Sequence, residues 1–331
     1  MSESTVNGKT TSFLKKVKAL TEQRWFVHSM PIILLIVLCI FFTVQTKGRF
    51  MEPGILKMIF QQSLIVATVA TGASFIFASG NINLAMGATT VLTATLAGMV
   101  YNATNSFPIM IISSIAIGVV IMALSALLST LLNVRVMYVT IVMMTLLKAI
   151  QESILGGSTV SLPFDLIDKL VTNNFSVIIF VLFFIFAIYL FHFTAIGRSL
   201  KMIGTNNNCA AQTCIEKSKY ILIAFIIAGI GTGIGALLVI VRGGSVGAQT
   251  LQSLNTDVML AIVLGGMSIF GGSKSFAYTG IIGALTVCVL NQGLLMIGVD
   301  STFIQAVRGI IFLILIMTAQ QRPKGLPAPE G

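Results

Sequence analysis

Long apolar runs alternate with short polar segments along most of this 331-residue chain. The ten runs lie at about 31–44, 58–78, 84–101, 108–132, 136–155, 174–193, 219–241, 258–270, 276–297 and 302–319. About 20 apolar residues in a helix cross the roughly 30 Å hydrocarbon core of a bilayer. The runs lack the alternation of barrel strands, and backbone groups in lipid must pair within their own segment. The pattern therefore predicts an all-α polytopic membrane protein with about ten transmembrane helices.

Composition supports a membrane protein and gives its orientation. Charged residues make up 9% of the chain and hydrophobic residues 56%, which is too little charge for a soluble protein of this length. The net charge of +10 fits a membrane surface better than nucleic acid, because the basic residues flank the apolar runs. More Lys and Arg fall inside if the amino terminus is cytosolic, so we predict that both termini are cytosolic.

The pattern divides the chain into three predicted parts. Residues 1–26 are predicted to form a cytosolic or interfacial amphipathic segment, since apolar residues alternate with Lys at helical spacing. Residues 27–320 form the predicted transmembrane domain, and residues 321–331 a cytosolic tail.

The sequence lacks the residue patterns expected of a catalytic site. The longest loops, 156–173 and 194–218, are too short for a catalytic domain. No Gly-rich loop is followed by Lys-Ser/Thr, so the chain lacks a P-loop for nucleotide phosphates. The four cysteines have no metal-ligand spacing. Glu152 and Asp257 are the only carboxylates near run ends that could face a pathway. We therefore expect no enzyme, no metal and no cofactor in this chain; an ion-coupled secondary carrier remains an alternative.

Two glycines and two asparagines interrupt an apolar region at Gly80–Gly87 (GNINLAMG). Asparagine is costly in lipid unless paired, and glycine allows the backbone to leave helical geometry. This composition is typical of discontinuous helices near solute pathways, so Asn81 and Asn83 are pathway candidates. A tight cytosolic turn capped by Asn83 is the alternative.

A similar element comes later, where Asn255 and Asp257 precede Val258 as plausible helix caps. Residues 57–155 and 219–319 each hold four runs and start on opposite sides, which predicts two inverted four-helix repeats. Three amides in the last two runs complete the set of pathway candidates: Asn291, Gln292 and Gln305. Arg308, in the last run, either extends to the membrane surface or pairs with a neighbour.

Glycines recur at a spacing of four in the seventh run, as Gly229 with Gly233 and Gly231 with Gly235. Glycines at this spacing share a helix face and let another backbone approach closely. We interpret them as packing residues.

The 194–218 loop contains a polar run and then an Ala-rich turn, which predicts a short capped helix. A small, nearly uncharged helix of this kind suits a groove on another protein, although a plain connector is the alternative. The candidate docking residues are Gly204, Thr205, Asn206, Asn207, Asn208, Ala210 and Ala211.

Four segments in this order resemble the permeases of ribose-type (monosaccharide) ABC importers: SGNINLAMG, IGRSLKMIGTNNNCAAQTCIEKSKY, DVMLAIVLGGMSIFGG and IIGALTVCVLNQGLLMIGV. The resemblance runs from about residue 55 to 320. It implies ten helices in a bacterial cytoplasmic membrane and import of a small polar solute, most simply a monosaccharide. Autoinducer-2, nucleosides and branched-chain amino acids are alternative cargoes in related permeases.

The resemblance also implies partners. These are a second permease copy or a paralogue, an external solute-binding protein, and cytosolic ATP-binding subunits, often fused in tandem, that hold ATP and Mg²⁺. Gly204, Asn206, Ala210 and Ala211 would lie on the coupling helix that engages the ATPase. The chain departs from the family pattern at Asn83, which replaces an acid, at Asn81, which replaces a glycine, and at Cys214, near a usual glycine.

Overall fold

A computed structural model describes residues 24–172, 174–250, 253–268, 271–272 and 275–319. The predicted amphipathic segment, apart from its last residues, and the predicted tail lie outside the described residues. The helices are α1 (Arg24–Gln45), α2 (Pro53–Ala78), α3 (Met86–Thr104), α4 (Phe107–Leu131), α5 (Val136–Leu155), α6 (Phe164–Thr172), α7 (Phe175–Ile188), α8 (Ala195–Thr205), α9 (Asn207–Gln212), α10 (Lys217–Gly243), α11 (Leu254–Leu264), α12 (Thr279–Met296) and α13 (Ser301–Ala319).

Short elements complete the fold. A 3₁₀ turn (Arg49–Met51) precedes α2, and a π-helical turn (Tyr189–Phe193) continues α7. The only strands among the described residues, β1 (Val160–Ser161) and β2 (Ser245–Val246), pair antiparallel. This pair ties the loop after α5 to the loop after α10.

Local sequence signals explain where the helices begin and end. Proline lies in the first turn of α2 and α4, where its missing N–H removes no helical hydrogen bond. Asn105 ends α3 and Gly156 ends α5 in the left-handed conformation, with φ of 49° and 53°. Such residues stop a helix because the chain leaves helical geometry there while the last carbonyls stay paired.

Two helices form the centre of the bundle. The apolar windows of α2 and α10 are each 83% buried, whereas those of α4, α5 and α7 are 28%, 33% and 22% buried. The exposed sides of these outer helices carry large apolar residues such as Ile112, Val142 and Leu182. A helix with an apolar exposed face suits lipid rather than water.

Glycines allow α10 to approach its neighbours at backbone distance, as predicted. A β-carbon at Gly233 would lie 2.7 Å from the α-carbon of Ile115, and one at Gly231 would lie 3.1 Å from that of Gly72. Ser114 strengthens the first contact by donating its hydroxyl to the carbonyl of Gly233 at 2.7 Å. Close contact of this kind is how small residues hold membrane helices together.

Among the described residues, six helices are long and apolar enough to cross a membrane: α2, α4, α5, α7 with its π-helical turn, α10 and α12. The chain is therefore an all-α, membrane-embedded protein. A helix overlaps each of the ten predicted runs. The number of crossings and the inverted repeat nevertheless stay predictions.

Candidate functional site

The segment between α2 and α3 is a non-helical break that is exposed at Gly80 and buried at Asn83 and Ala85. Gly80 reverses the chain with φ of 76°, and residues 81–85 then continue without helical structure. Asn83 is 2% exposed and Ala85 is fully buried. The polar backbone of such a segment needs partners inside the protein.

Side chains from two other helices and from the segment itself supply those partners. The side-chain oxygen of Asn83 accepts a hydrogen bond from the amide of Ala85 at 2.8 Å, and its nitrogen lies 3.2 Å from the sulfur of Met122. The amide of Leu84 donates to the hydroxyl of Thr140 at 3.3 Å. The expected cap position was wrong: α3 begins after Ala85, two residues beyond Asn83.

Asn255 joins the two interrupted regions. The helix α11 begins one residue before Asn255, after Ser253, so the prediction that Asn255 caps its own helix was wrong. Its side-chain oxygen instead accepts the amide of Gly87 in the first turn of α3, and its nitrogen lies 3.1 Å from the sulfur of Met144. First-turn amides have no partner within their helix, so Asn255 satisfies one for α3.

This contact has no room for a side chain at Gly87. A β-carbon there would lie 2.7 Å from the backbone nitrogen of Asn255. The first turns of α3 and α11 therefore touch directly, beside Met144 near the middle of α5. We call this contact the helix-start junction, formed by Gly87 and Asn255.

A buried charged network begins two residues further along α11, at Asp257. Asp257, Asn291 and Arg308 come from α11, α12 and α13 and are 3%, 4% and 8% exposed. Arg308 Nη1 lies 3.3 Å from Asp257 Oδ1, and its Nε donates to Asn291 Oδ1 at 2.7 Å. The amide nitrogen of Asn291 and the hydroxyl of Ser253 also donate to Asp257, at 3.4 and 3.1 Å.

Arg308 therefore pairs with a neighbour, which is one of the two outcomes expected from the sequence. Each charge is neutralised and hydrogen-bonded, as burial requires. The network holds three helices together and gives Asp257 and Asn291 a structural partner.

The remaining pathway candidates lie apart from this network. Asn81 is half-buried and donates to the hydroxyl of Ser79 at 2.9 Å. Gln292 is half-buried, and Gln305 is exposed on α13. The structure therefore brings Asp257 and Asn291 together, while Asn255 contacts α3 and α5 instead. Asn81, Gln292 and Gln305 lie outside both sets of contacts.

The short helix predicted in the 194–218 loop is present as α9. Asn206 precedes it, and its side-chain oxygen accepts from the amides of Asn208 and Cys209 at 2.9 and 3.3 Å. Ala210 is buried and Gly204 is half-buried, while the other candidates are exposed: Thr205, Asn206, Asn207, Asn208 and Ala211. The loop thus presents a capped helix with an accessible, uncharged surface.

Gly204 packs the loop onto two other segments. A β-carbon at Gly204 would lie 2.1 Å from the carbonyl oxygen of Ala78 and 2.7 Å from the amide nitrogen of Gly272. The amide of Gly272 also donates to the carbonyl of Ala78 at 3.1 Å. The end of α2, the end of α8 and the segment after α11 meet here. We call this the three-backbone contact, formed by Gly204, Ala78 and Gly272.

Lys201 anchors α8 beside the three-backbone contact. Its ammonium nitrogen lies 4.6 Å from the centre of the Phe191 ring and 5.5 Å from that of Phe276. A cation over an aromatic face is attracted by the ring quadrupole. Burial lowers the pKa of Lys201. Sequence analysis missed this contact, because nothing local pairs a loop lysine with distant rings.

Comparisons with known proteins agree with this architecture. Residues 55–318 match the family described as branched-chain amino acid transport system / permease component. That range covers most of the chain, and the chain belongs to this family of membrane permeases. No solved structure matches it.

Three curated relatives are sugar permeases by name. The chain is 25% identical over 307 residues to the ribose import permease RbsC of Escherichia coli, covering 90% of this chain and 95% of the relative. It is 25% identical to the galactofuranose transporter permease YtfT of E. coli, covering 78% and 77%. It is 24% identical to the fructose import permease FrcC of Rhizobium meliloti, covering 89% and 87%.

Proposed function

We propose that this chain is the membrane-spanning subunit of an ATP-driven importer that carries a monosaccharide across a bacterial cytoplasmic membrane. The observation that supports this most strongly is the similarity to a ribose import permease along nearly the full length of both chains. Fructose and galactofuranose permeases extend the same similarity to other monosaccharides. The chain itself is a transport subunit rather than an enzyme.

The energy comes from partner subunits in this proposal. A cytosolic ATPase, with its two modules fused or separate, binds ATP and Mg²⁺, and an external binding protein delivers the solute. A second permease copy or a paralogue completes the membrane part. Both termini and the 194–218 loop lie in the cytosol, and the chain crosses the membrane ten times as two inverted repeats.

The 194–218 loop receives the movement of the ATPase. The surface of α9 enters a groove on the ATPase, with Asn206, Asn208 and Ala211 exposed for contact. The three-backbone contact then passes the displacement to α2 and to the segment after α11, because both touch Gly204 directly. The first segment continues into α3, which carries Gly87, and the second follows α11, which carries Asn255. The separation of Gly87 and Asn255 at the helix-start junction therefore follows the state of the ATPase.

Copurification tests the docking surface. We expect Ala211→Arg to abolish recovery of the ATPase with the permease, because a long charged side chain cannot enter an apolar groove without a partner. Ala103→Arg is the matched control, since Ala103 is also exposed but lies at the far end of α3. Equal ATPase recovery with both variants would contradict the assignment of the loop.

Transport in cells tests the function. With the ATPase and binding protein coexpressed, we expect ATP-dependent accumulation of labelled ribose, and its loss when the nucleotide-site lysine of the ATPase is replaced. Accumulation that survives this replacement and collapses with the ion gradient would favour a secondary carrier.

A further inference from the structure

An open cleft lies beside the helix-start junction. Its polar lining comes from the second half of α5, from the loop after β2 and from α11: Lys148, Gln151, Glu152, Thr250 and Asn255. The cleft therefore leads from the junction of the two interrupted helices toward the far end of α5.

The two charges in this cleft are the only ones on α5. Lys148 and Glu152 are four residues apart, so they share one face of a helix that is otherwise apolar enough to span a membrane. Among the described residues, neither forms an ion pair within 4.0 Å. Charges in a membrane helix are costly and mark water-filled or solute pathways. This placement distinguishes them from the paired charges of Asp257 and Arg308.

The neutral groups of the cleft are held in place. Gln151 is 3% exposed and donates to the carbonyl of Gly247 at 3.2 Å. The hydroxyl of Thr250 accepts the amide of the same glycine at 2.8 Å. Asn255 is fixed by Gly87 and Met144. An amide or hydroxyl has capacity for more than one hydrogen bond, so each fixed group can also meet a solute.

Part of the lining is small and apolar. Ala88 and Val91 on α3 face the same space. A ring with hydroxyls on its edge and C–H groups on its face matches a lining that combines polar groups with small apolar side chains. The summed charge of Lys148 and Glu152 is zero, so a neutral solute enters without leaving a net charge uncompensated.

We propose that this cleft is a transit site for an uncharged polyhydroxylated solute, in which Glu152 accepts from hydroxyl groups and Lys148 and Asn255 bind hydroxyl oxygens. The assignment rests on the proposed function. It adds the place where the solute binds during transit and the requirement that the solute is uncharged. A carboxylate accepts two neighbouring hydroxyls and an ammonium donates up to three hydrogen bonds, which suits a ring with adjacent hydroxyls.

The test uses the importer reconstituted with its ATPase and binding protein, and labelled ribose as the probe. We expect Glu152→Gln and Lys148→Met each to raise the KM for uptake about tenfold, the loss expected for one hydrogen bond to a charged group. Glu152→Asp keeps the carboxylate and should recover part of the loss. Asp168→Asn and Lys169→Met are matched controls on the exposed helix α6 and should leave the KM unchanged.

Several outcomes would overturn the assignment. An unchanged KM in both cleft variants would do so, as would a loss of assembled complex in place of a KM change, which would indicate a structural role. Transport of labelled leucine by the wild type that is lost in the cleft variants would show a zwitterion site instead. If the wild-type importer accumulates none of ribose, galactofuranose and fructose with ATP present, the proposed function fails rather than the cleft.

Discussion

The pair of Asp257 and Arg308 allows the strongest quantitative prediction. Both are nearly fully buried, and Asn291 bonds to each of them. Removing one partner of a buried ion pair leaves the other charge uncompensated, which costs about 3–5 kcal/mol. A single hydrogen bond between membrane helices contributes only about 0.6 kcal/mol on average. A measured loss of unfolding free energy therefore distinguishes a mutually dependent ion pair from an ordinary hydrogen bond between helices.

We expect Asp257→Asn and Arg308→Gln each to lower the free energy of unfolding by about 3–5 kcal/mol. The double variant removes both charges and retains amides that can bond to Asn291. It should therefore cost less than either single change. In a double-mutant cycle, this appears as a large favourable interaction energy between the two positions.

The assay is unfolding of the purified protein by SDS in mixed micelles, followed by helical circular dichroism. Asp165→Asn, on the exposed surface of α6, removes a carboxylate with no buried partner and serves as the control. Single variants within about 1 kcal/mol of the wild type, or an additive cycle, would refute the reasoning, since both would mean that neither charge depends on the other.

Three further predictions concern packing and the loop. Gly204→Val should abolish transport while the chain still inserts, because a side chain there collides with two backbones. Gly233→Leu should lower the free energy of unfolding by about 1–3 kcal/mol through overpacking. Lys201 is partly buried and its pKa is lowered, so the unfolded state binds more protons between the folded and unfolded pKa. The stability of the wild type should therefore rise with pH in that window below 10.5, and Lys201→Met should remove this rise.

Each of these variants has its own check. Gly54→Val and Gly243→Leu are matched controls, because a β-carbon at either position meets nothing within 4 Å. Transport by the valine variant at Gly204 equal to that of its control would contradict the three-backbone contact. Equal unfolding energies for the two leucine variants would contradict close packing at α10. A pH profile unaffected by Lys201→Met would show that its burial costs nothing.

Features that depend on nearby residues were predictable from the sequence. The apolar runs gave the helices because spanning a bilayer constrains length and composition locally. Asn206 predicted the start of α9, because a capping side chain and the backbone amides that donate to it are neighbours in sequence. The glycine spacing on α10 indicated a packing face, although the partner helices were not identifiable.

Features that depend on distant residues were not predictable. Asn255 looked like a cap for its own helix, but it caps α3, because the tertiary fold places the two helix starts together. The sequence alone did not decide whether Arg308 extends to the membrane surface or pairs with a neighbour, because its contact with Asp257 depends on the tertiary fold. The cleft had one local signal, the spacing of Lys148 and Glu152 on an apolar helix, and sequence analysis used only Glu152.

The central claim is that this chain is a passive gate operated by a separate ATPase. Uptake of labelled ribose into proteoliposomes tests it most directly, with the purified chain alone under proton and sodium gradients compared with the full importer supplied with ATP. The account predicts accumulation only with the ATPase, the binding protein and ATP together. Accumulation by the chain alone under either gradient would contradict it.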